Sequence, residues 1–123
     1  MAAIILYVED DPIQRQLIAQ MLEWGGYTVE LAEDGREGVD KATSRLPDLI
    51  MMDLRLPRMD GYAAIKAIRS QAETAHIPIL ALSSLTGERD KKQAMDAGAN
   101  AYFVKPIDLT QLLSILKTYL AED

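Results

Sequence analysis

The 123-residue chain has no cysteine and a single histidine. That excludes disulfides, a thiolate metal site and a cysteine nucleophile, and it leaves nothing suited to zinc. Long apolar runs are also missing. The opening stretch from Ala2 to Val8 is too short for a signal peptide or a membrane span, and acids follow it at once. Positive charge is in deficit. The net charge of −6 and the isoelectric point near 4.7 argue against direct nucleic-acid binding and against an anionic membrane surface. With no targeting segment, the cytoplasm is the expected compartment. What is present is ordinary for a globular chain: 49% hydrophobic and 26% charged residues. The length predicts one domain, residues 1–123, with a real core.

Short apolar runs alternate with helical spacings. Ile4 to Val8 reads as a strand buried on both faces. Asp11 is a candidate N-cap and Pro12 suits a first helical turn. From Ile13 to Trp24 the apolar positions 13, 17, 18, 21, 22 and 24 have helical spacing, with Trp24 taken as a packing residue, and Gly25-Gly26 ends the helix. A second strand is predicted over Tyr27–Ala32, a turn at Asp34-Gly35, and a second helix over Arg36–Arg45 with Val39, Ala42 and Leu46 as its stripe. The third strand is Asp48–Asp53. Asp60 and Gly61 mark a turn and a helix start, and Tyr62–Ala72 follows as the helix. The fourth strand is Ile77–Ser83. Thr86-Gly87 opens a polar helix from Glu88 to Ala97, which Gly98 closes. Ala101–Val104 is the fifth strand, and Asp108 caps a last helix over Leu109–Leu120. Five strand–helix units imply an α/β fold, an open doubly wound parallel sheet with right-handed crossovers.

In such sheets ligands sit beyond the carboxyl ends of the strands. Those ends carry Glu9, Asp10 and Asp11 on the first strand, Asp53 on the third, Ser83 on the fourth and Lys105 on the fifth. A carboxylate ending a buried strand is costly unless its charge is used. Clustered carboxylates repel, and a hard divalent cation such as Mg²⁺ relieves that repulsion through oxygen ligands. A cation, a carboxylate nucleophile, an ammonium and a hydroxyl are the parts that phosphoryl transfer requires. Asp53 alone is indistinguishable from a turn former. Its company at the other strand ends makes it a candidate phosphoryl acceptor.

The residues that carry this pattern also carry a resemblance. Val8-Glu9-Asp10-Asp11, Asp48 to Pro57, Met59-Asp60-Gly61, Ile77 to Ser84, Ala97-Gly98-Ala99 and Tyr102 to Pro106 occur in that order. Together they resemble the receiver domain of bacterial two-component response regulators, in the chemotaxis-regulator-like, single-domain form, from Ile4 to about Leu120. The resemblance implies a flavodoxin-like fold with strand order 2-1-3-4-5. It implies Asp53 as the phosphorylated residue and Lys105 as the phosphate-binding lysine. It implies Mg²⁺ (or Mn²⁺) held by Asp10, Asp53 and the main-chain carbonyl of Arg55, with Glu9 helping through water. Ser83 matches the switch hydroxyl and Tyr102 the switch aromatic. The Lys105-Pro106 peptide is expected to be cis.

Competing readings stand beside these. Asp11 fits a cap better than a ligand. Ser84 is a second hydroxyl, and only spacing favours Ser83. Tyr102 also fits a half-buried core tyrosine. His76 reads as a surface loop residue, and the methionines as packing residues. Arg55 replaces a small polar residue, and its cation is placed to lean over the acidic pocket. The implied partners are a sensor histidine kinase or a histidine phosphotransfer protein, and a downstream protein on the face of helix four, strand five and helix five. The expected state is a monomer or a weak phosphorylation-dependent dimer. Only self-directed phosphotransfer and autodephosphorylation are expected, not turnover as an enzyme. The chain ends at Asp123 without an output domain, which fits a free-standing relay or a receiver excised from a larger hybrid kinase or transcription regulator. A flavin-binding domain is disfavoured by the acidic first loop. An aspartyl-nucleophile phosphatase is disfavoured because Arg55, not an acid, stands two residues after Asp53.

Overall fold

The computed structural model describes residues 2–84 and 87–120. Elements alternate as β1 (Ile4–Val8), α1 (Pro12–Trp24), β2 (Thr28–Ala32), α2 (Gly35–Arg45), β3 (Leu49–Asp53), α3 (Gly61–Arg69), β4 (Ile79–Ser83), α4 (Glu88–Ala97), β5 (Ala101–Val104) and α5 (Leu109–Leu120). The five strands are parallel in the order β2-β1-β3-β4-β5. The doubly wound, flavodoxin-like sheet expected from the sequence is therefore present.

The helix ends follow local chemistry. Asp11, Asp34 and Asp60 each accept a main-chain N–H from the first turn of α1, α2 and α3. Asp108 does the same for α5, with the Gln111 N–H at 2.7 Å. Thr86, taken as part of the opening of α4, lies outside the described residues. At the end of α1, Gly26 takes φ +92°, and the Tyr27 N–H returns to the Leu22 carbonyl at 3.1 Å. That bond uses Tyr27, so β2 starts at Thr28 rather than Tyr27. Similarly, the Ile77 N–H is taken by Thr74 and Pro78 has no N–H, so β4 starts at Ile79 rather than Ile77. The Thr74 hydroxyl holds the Ile68 carbonyl at 2.6 Å, and α3 ends at Arg69 instead of Ala72. Gly35 is the first residue of α2, not a turn residue, and Gly61 is the first residue of α3, in line with the helix start expected there. Gly61 is required by close approach: a Cβ there would lie 2.4 Å from the Asp53 carbonyl oxygen.

The sheet separates two apolar layers, because successive strand residues point to opposite faces. Leu6, Val8, Ile50, Met52, Ile79 and Ala81 pack on the side of Ile65, Ile68 and Ala94 from α3 and α4. Ile5, Tyr7, Leu49, Met51, Leu80 and Leu82 pack on the side of Leu22, Leu112 and Leu116 from α1 and α5. Three predicted packing positions of α1 face solvent instead: Ile13, Leu17 and Trp24 are 77%, 54% and 68% exposed. Leu46 is likewise exposed, in a left-handed conformation that ends α2, and Met95 is partly exposed on α4. His76 is on the surface, as expected.

Candidate functional site

The carboxyl ends of β1, β3, β4 and β5 form one acidic edge. Val8 pairs with Met52, so Glu9 and Asp53 follow one residue later on adjacent strands. Both are buried, at 1% and 5% exposure. Ser83 pairs with Val104, and the Lys105 N–H continues that ladder onto the Ser83 carbonyl at 2.8 Å. This brings the Lys105 ammonium between the two acids. Its Nζ donates to Glu9 Oε1 at 2.6 Å and to Asp53 Oδ2 at 3.0 Å. The peptide after Lys105 is cis, as expected.

The electrostatics follow from burial and sharing. Burial pushes the Asp53 carboxyl up to about 6, the shared hydrogen bond with Glu9 adds to the rise, and Lys105 opposes it. Burial also works against the Glu9 carboxylate, yet hydrogen bonds with Lys105, Asp53 and the Asp11 N–H hold it below the usual range. Burial works against the Lys105 ammonium too. Its bonds to the two acids outweigh that and raise it above the ordinary lysine value. Of the two buried acids, Glu9 is thus held in its carboxylate form more firmly than Asp53.

Glu9, Asp10 and Asp53 each offer a carboxylate oxygen, and all three atoms lie within 4.8 Å of one another. The donor set is entirely oxygen and anionic, which suits a hard divalent cation and not zinc. Asp10 is exposed, so that edge opens to solvent. Asp11 stays out of the group and caps α1. The Arg55 N–H donates to Asp53 Oδ1 at 3.2 Å. The Arg55 side chain is exposed and lines a shallow pocket with Asp60, Tyr62 and Asp90. It forms no ion pair with Glu9, Asp10 or Asp53 among the described residues.

Ser83 is buried and Ser84 is exposed, as strand alternation requires for only one of them to face inward. Ala81 pairs with Tyr102, and both belong to the layer on the α3–α4 side. Ser83, two residues beyond Ala81, stands on that same side of the sheet. Tyr102 is partly buried against the layer.

Two residues at this edge were not singled out from the sequence. The buried Tyr7 hydroxyl donates to Glu9 Oε1 at 3.1 Å, and burial beside that acid raises its own pKa. A phenol in a fully buried strand needs a partner, and the residue two places on shares its side, so the signal was there. Arg15, one turn into α1, donates to the carbonyls of Glu9 and Asp10. Nothing in its spacing marks it out.

Known proteins with this pattern are numerous. The chain is 40% identical over 116 residues to the DNA-binding dual master transcriptional regulator RpaA of Synechocystis sp., covering 94% of this chain and 48% of that protein. It is 37% identical to the response regulator MprA of Mycolicibacterium vanbaalenii, covering 94% of this chain and 49% of that protein. The chain thus spans about half the length of these curated relatives. Among solved structures, it resembles the receiver domain of a sensor histidine kinase from Pseudomonas aeruginosa PAO1, which has a magnesium ion coordinated in its active site cleft. The TM-score is 0.93 at 37% identity, over 99% of this chain and 100% of that chain. The chemotaxis protein CheY4 of Vibrio cholerae gives 0.92 at 36% identity, over 98% of this chain and 100% of that chain. A family model for the response regulator receiver domain matches residues 5–117, and the chain belongs to that family.

Proposed function

We propose that this receiver takes a phosphoryl group on Asp53 from the phosphohistidine of a sensor histidine kinase or a histidine phosphotransfer protein. The observation that carries the reading is the Lys105 ammonium lying between buried Glu9 and Asp53, with an Asp10 oxygen in the same group. Glu9, Asp10 and Asp53 would hold Mg²⁺ (or Mn²⁺), with the Arg55 carbonyl as a further oxygen. When bound, the cation supplies neutralisation of the phosphoryl oxygens.

The chain's own residues do the rest. An Asp53 oxygen forms the new bond to phosphorus as the phosphorus–nitrogen bond of the donor breaks, and the imidazole leaves with its electron pair. Lys105 is held beside the reacting oxygen and exchanges a carboxylate partner for a phosphoryl oxygen. The Ser83 hydroxyl donates to another phosphoryl oxygen. Ser83 and Tyr102 share one side of the sheet, so movement of the hydroxyl toward the acid frees space on the side where Tyr102 packs. That couples the acid to the face of α4, β5 and α5 as a shift between two packings.

The same reading takes residues 1–123 as one receiver domain, monomeric or weakly dimeric when phosphorylated, acting in the cytoplasm by protein contact. It does not bind nucleic acid directly or enter a membrane, and it is not an enzyme with multiple turnover. No helix among the described residues is long and apolar enough to cross a membrane. Incubation with Mg²⁺ and acetyl phosphate, followed by intact mass, tests the chemistry. The expected result is a gain of one phosphoryl group, absent in Asp53→Ala and without sustained turnover of the donor. No gain in the unaltered chain overturns the reading.

A further inference from the structure

We propose that Arg15 is a positioning residue for the cation site, acting through the main chain of the loop that carries Glu9 and Asp10. The inference rests on the phosphoacceptor reading and extends it to a residue outside the strand ends. Arg15 meets three consecutive carbonyls. Its guanidinium donates to the Glu9 carbonyl at 2.9 Å and to the Asp10 carbonyl at 3.4 Å, and its own N–H donates to the Asp11 carbonyl at 2.9 Å. Only 17% of the side chain is exposed, and its outer nitrogen lies 3.6 Å from Glu33 Oε1 on the neighbouring loop.

The three acids of the loop are restrained very differently. The Glu9 carboxylate is held by Tyr7, Lys105 and the Asp11 N–H. The Asp11 carboxylate is held by the start of α1. The Asp10 carboxylate has no hydrogen bond or ion pair among the described residues, and it is the exposed member of the cation group. Its place near Glu9 and Asp53 is therefore set by its backbone, and Arg15 fixes that backbone. The guanidinium is spent on neutral carbonyls, so it orders the loop without capping the carboxylate that a cation needs.

Charge and positioning make opposite predictions. A guanidinium near the acids repels a second cation, so if only its charge mattered, removing it would tighten Mg²⁺ binding. If it positions Asp10, removing it weakens binding, by about tenfold on the scale known for outer-shell partners of metal ligands. Titration calorimetry with Mg²⁺ separates the two. Arg15→Ala is expected to raise the dissociation constant about tenfold. Arg15→Gln, which keeps one amide donor, should recover part of the loss although it also lacks the charge. Glu33→Gln should leave the constant unchanged, because the Glu33 carboxylate is exposed and 3.6 Å from the guanidinium. Phosphoryl uptake by Arg15→Ala should need more Mg²⁺ for half-saturation, yet reach the rate of the unaltered chain at saturating Mg²⁺.

Equal or tighter Mg²⁺ binding by Arg15→Ala overturns the inference. So does an equal loss in Glu33→Gln, or a rate that saturating Mg²⁺ does not restore. If Arg15→Ala fails to fold, Arg15→Met, which keeps the length of the side chain but has no N–H donor, carries the test, and unchanged affinity in it overturns the inference. Absence of Mg²⁺ binding by the unaltered chain would instead overturn the phosphoacceptor reading beneath it.

Discussion

Asp53 carries a cost in the metal-free fold that one substitution removes. Its carboxyl is raised from an ordinary 3.8 to about 6, mainly by burial. Each tenfold change in proton affinity is worth about 1.4 kcal/mol, so ionising Asp53 at about pH 8 costs the fold about 3 kcal/mol. Asp53→Asn keeps the shape of the neutral acid and cannot ionise. Lys105 then loses one carboxylate partner and keeps Glu9 at 2.6 Å. The rise to about 6 already includes the opposing pull of Lys105, so the expected stabilisation without Mg²⁺ is about 2–3 kcal/mol. In urea this moves the unfolding midpoint up by about 1 M, taking about 2 kcal/mol per M as the slope. Far-UV circular dichroism is the suitable probe, since Trp24 is already 68% exposed in the folded chain and will report poorly by fluorescence. The pH dependence has a definite sign. An acid whose folded pKa is raised is most favourable below its unfolded value, and its contribution is lost as pH rises through the folded one. The advantage of Asp53→Asn should therefore be full above about pH 7 and fade as pH falls from about 6 toward 4. The lowered Glu9 works in the opposite direction, losing stability on acidification, but it is present in both proteins and largely cancels. Saturating Mg²⁺ should also close the gap, because it stabilises the chain that binds it by about 2.7 kcal/mol at a hundredfold excess over its dissociation constant. An Asn variant no more stable than the unaltered chain at about pH 8, or a gap that persists at about pH 4, would refute the electrostatic account.

Two further outcomes follow from bonds elsewhere in the chain. Tyr7→Phe deletes the buried donor to Glu9 Oε1 and should cost about 1–2 kcal/mol in urea unfolding, with no change in helix content. Arg69 donates to the carbonyls of Ala75, Ile77 and Gly98 and to Asn100 Oδ1, at the amino ends of β4 and β5. Arg69→Ala should lower stability by about 3 kcal/mol in thermal unfolding while leaving phosphoryl uptake intact, because the acids stand at the opposite strand ends.

What could be read from the residues, and what could not, divides along physical lines. The strands were legible because a parallel sheet covered on both faces leaves continuous apolar runs; Asp53 and Ser83 end β3 and β4, and Lys105 directly follows β5. The meeting of Glu9 with Lys105, 96 residues apart, was legible through topology: parallel order alone puts both at one edge. The faces of α1 were not. At about 100° per residue, Ile13, Leu17 and Trp24 fall within about 40° of one another, while Ile18 and Leu22 lie about 100–180° away from them. An apolar arc that wide cannot all be buried against one sheet. Taking every apolar position as core therefore misassigned the three that the structure exposes. The hydrogen bonds of Arg15 were illegible for another reason. They end on carbonyls, which every residue carries, so no side-chain pattern announces them. A candidate site read from side chains alone thus finds the clustered acids and the lysine and misses what bonds the backbone beneath them. Asp10 shows the consequence most directly, since its carboxylate was legible as a candidate ligand while the guanidinium that bonds its carbonyl belongs to a neighbour five residues away.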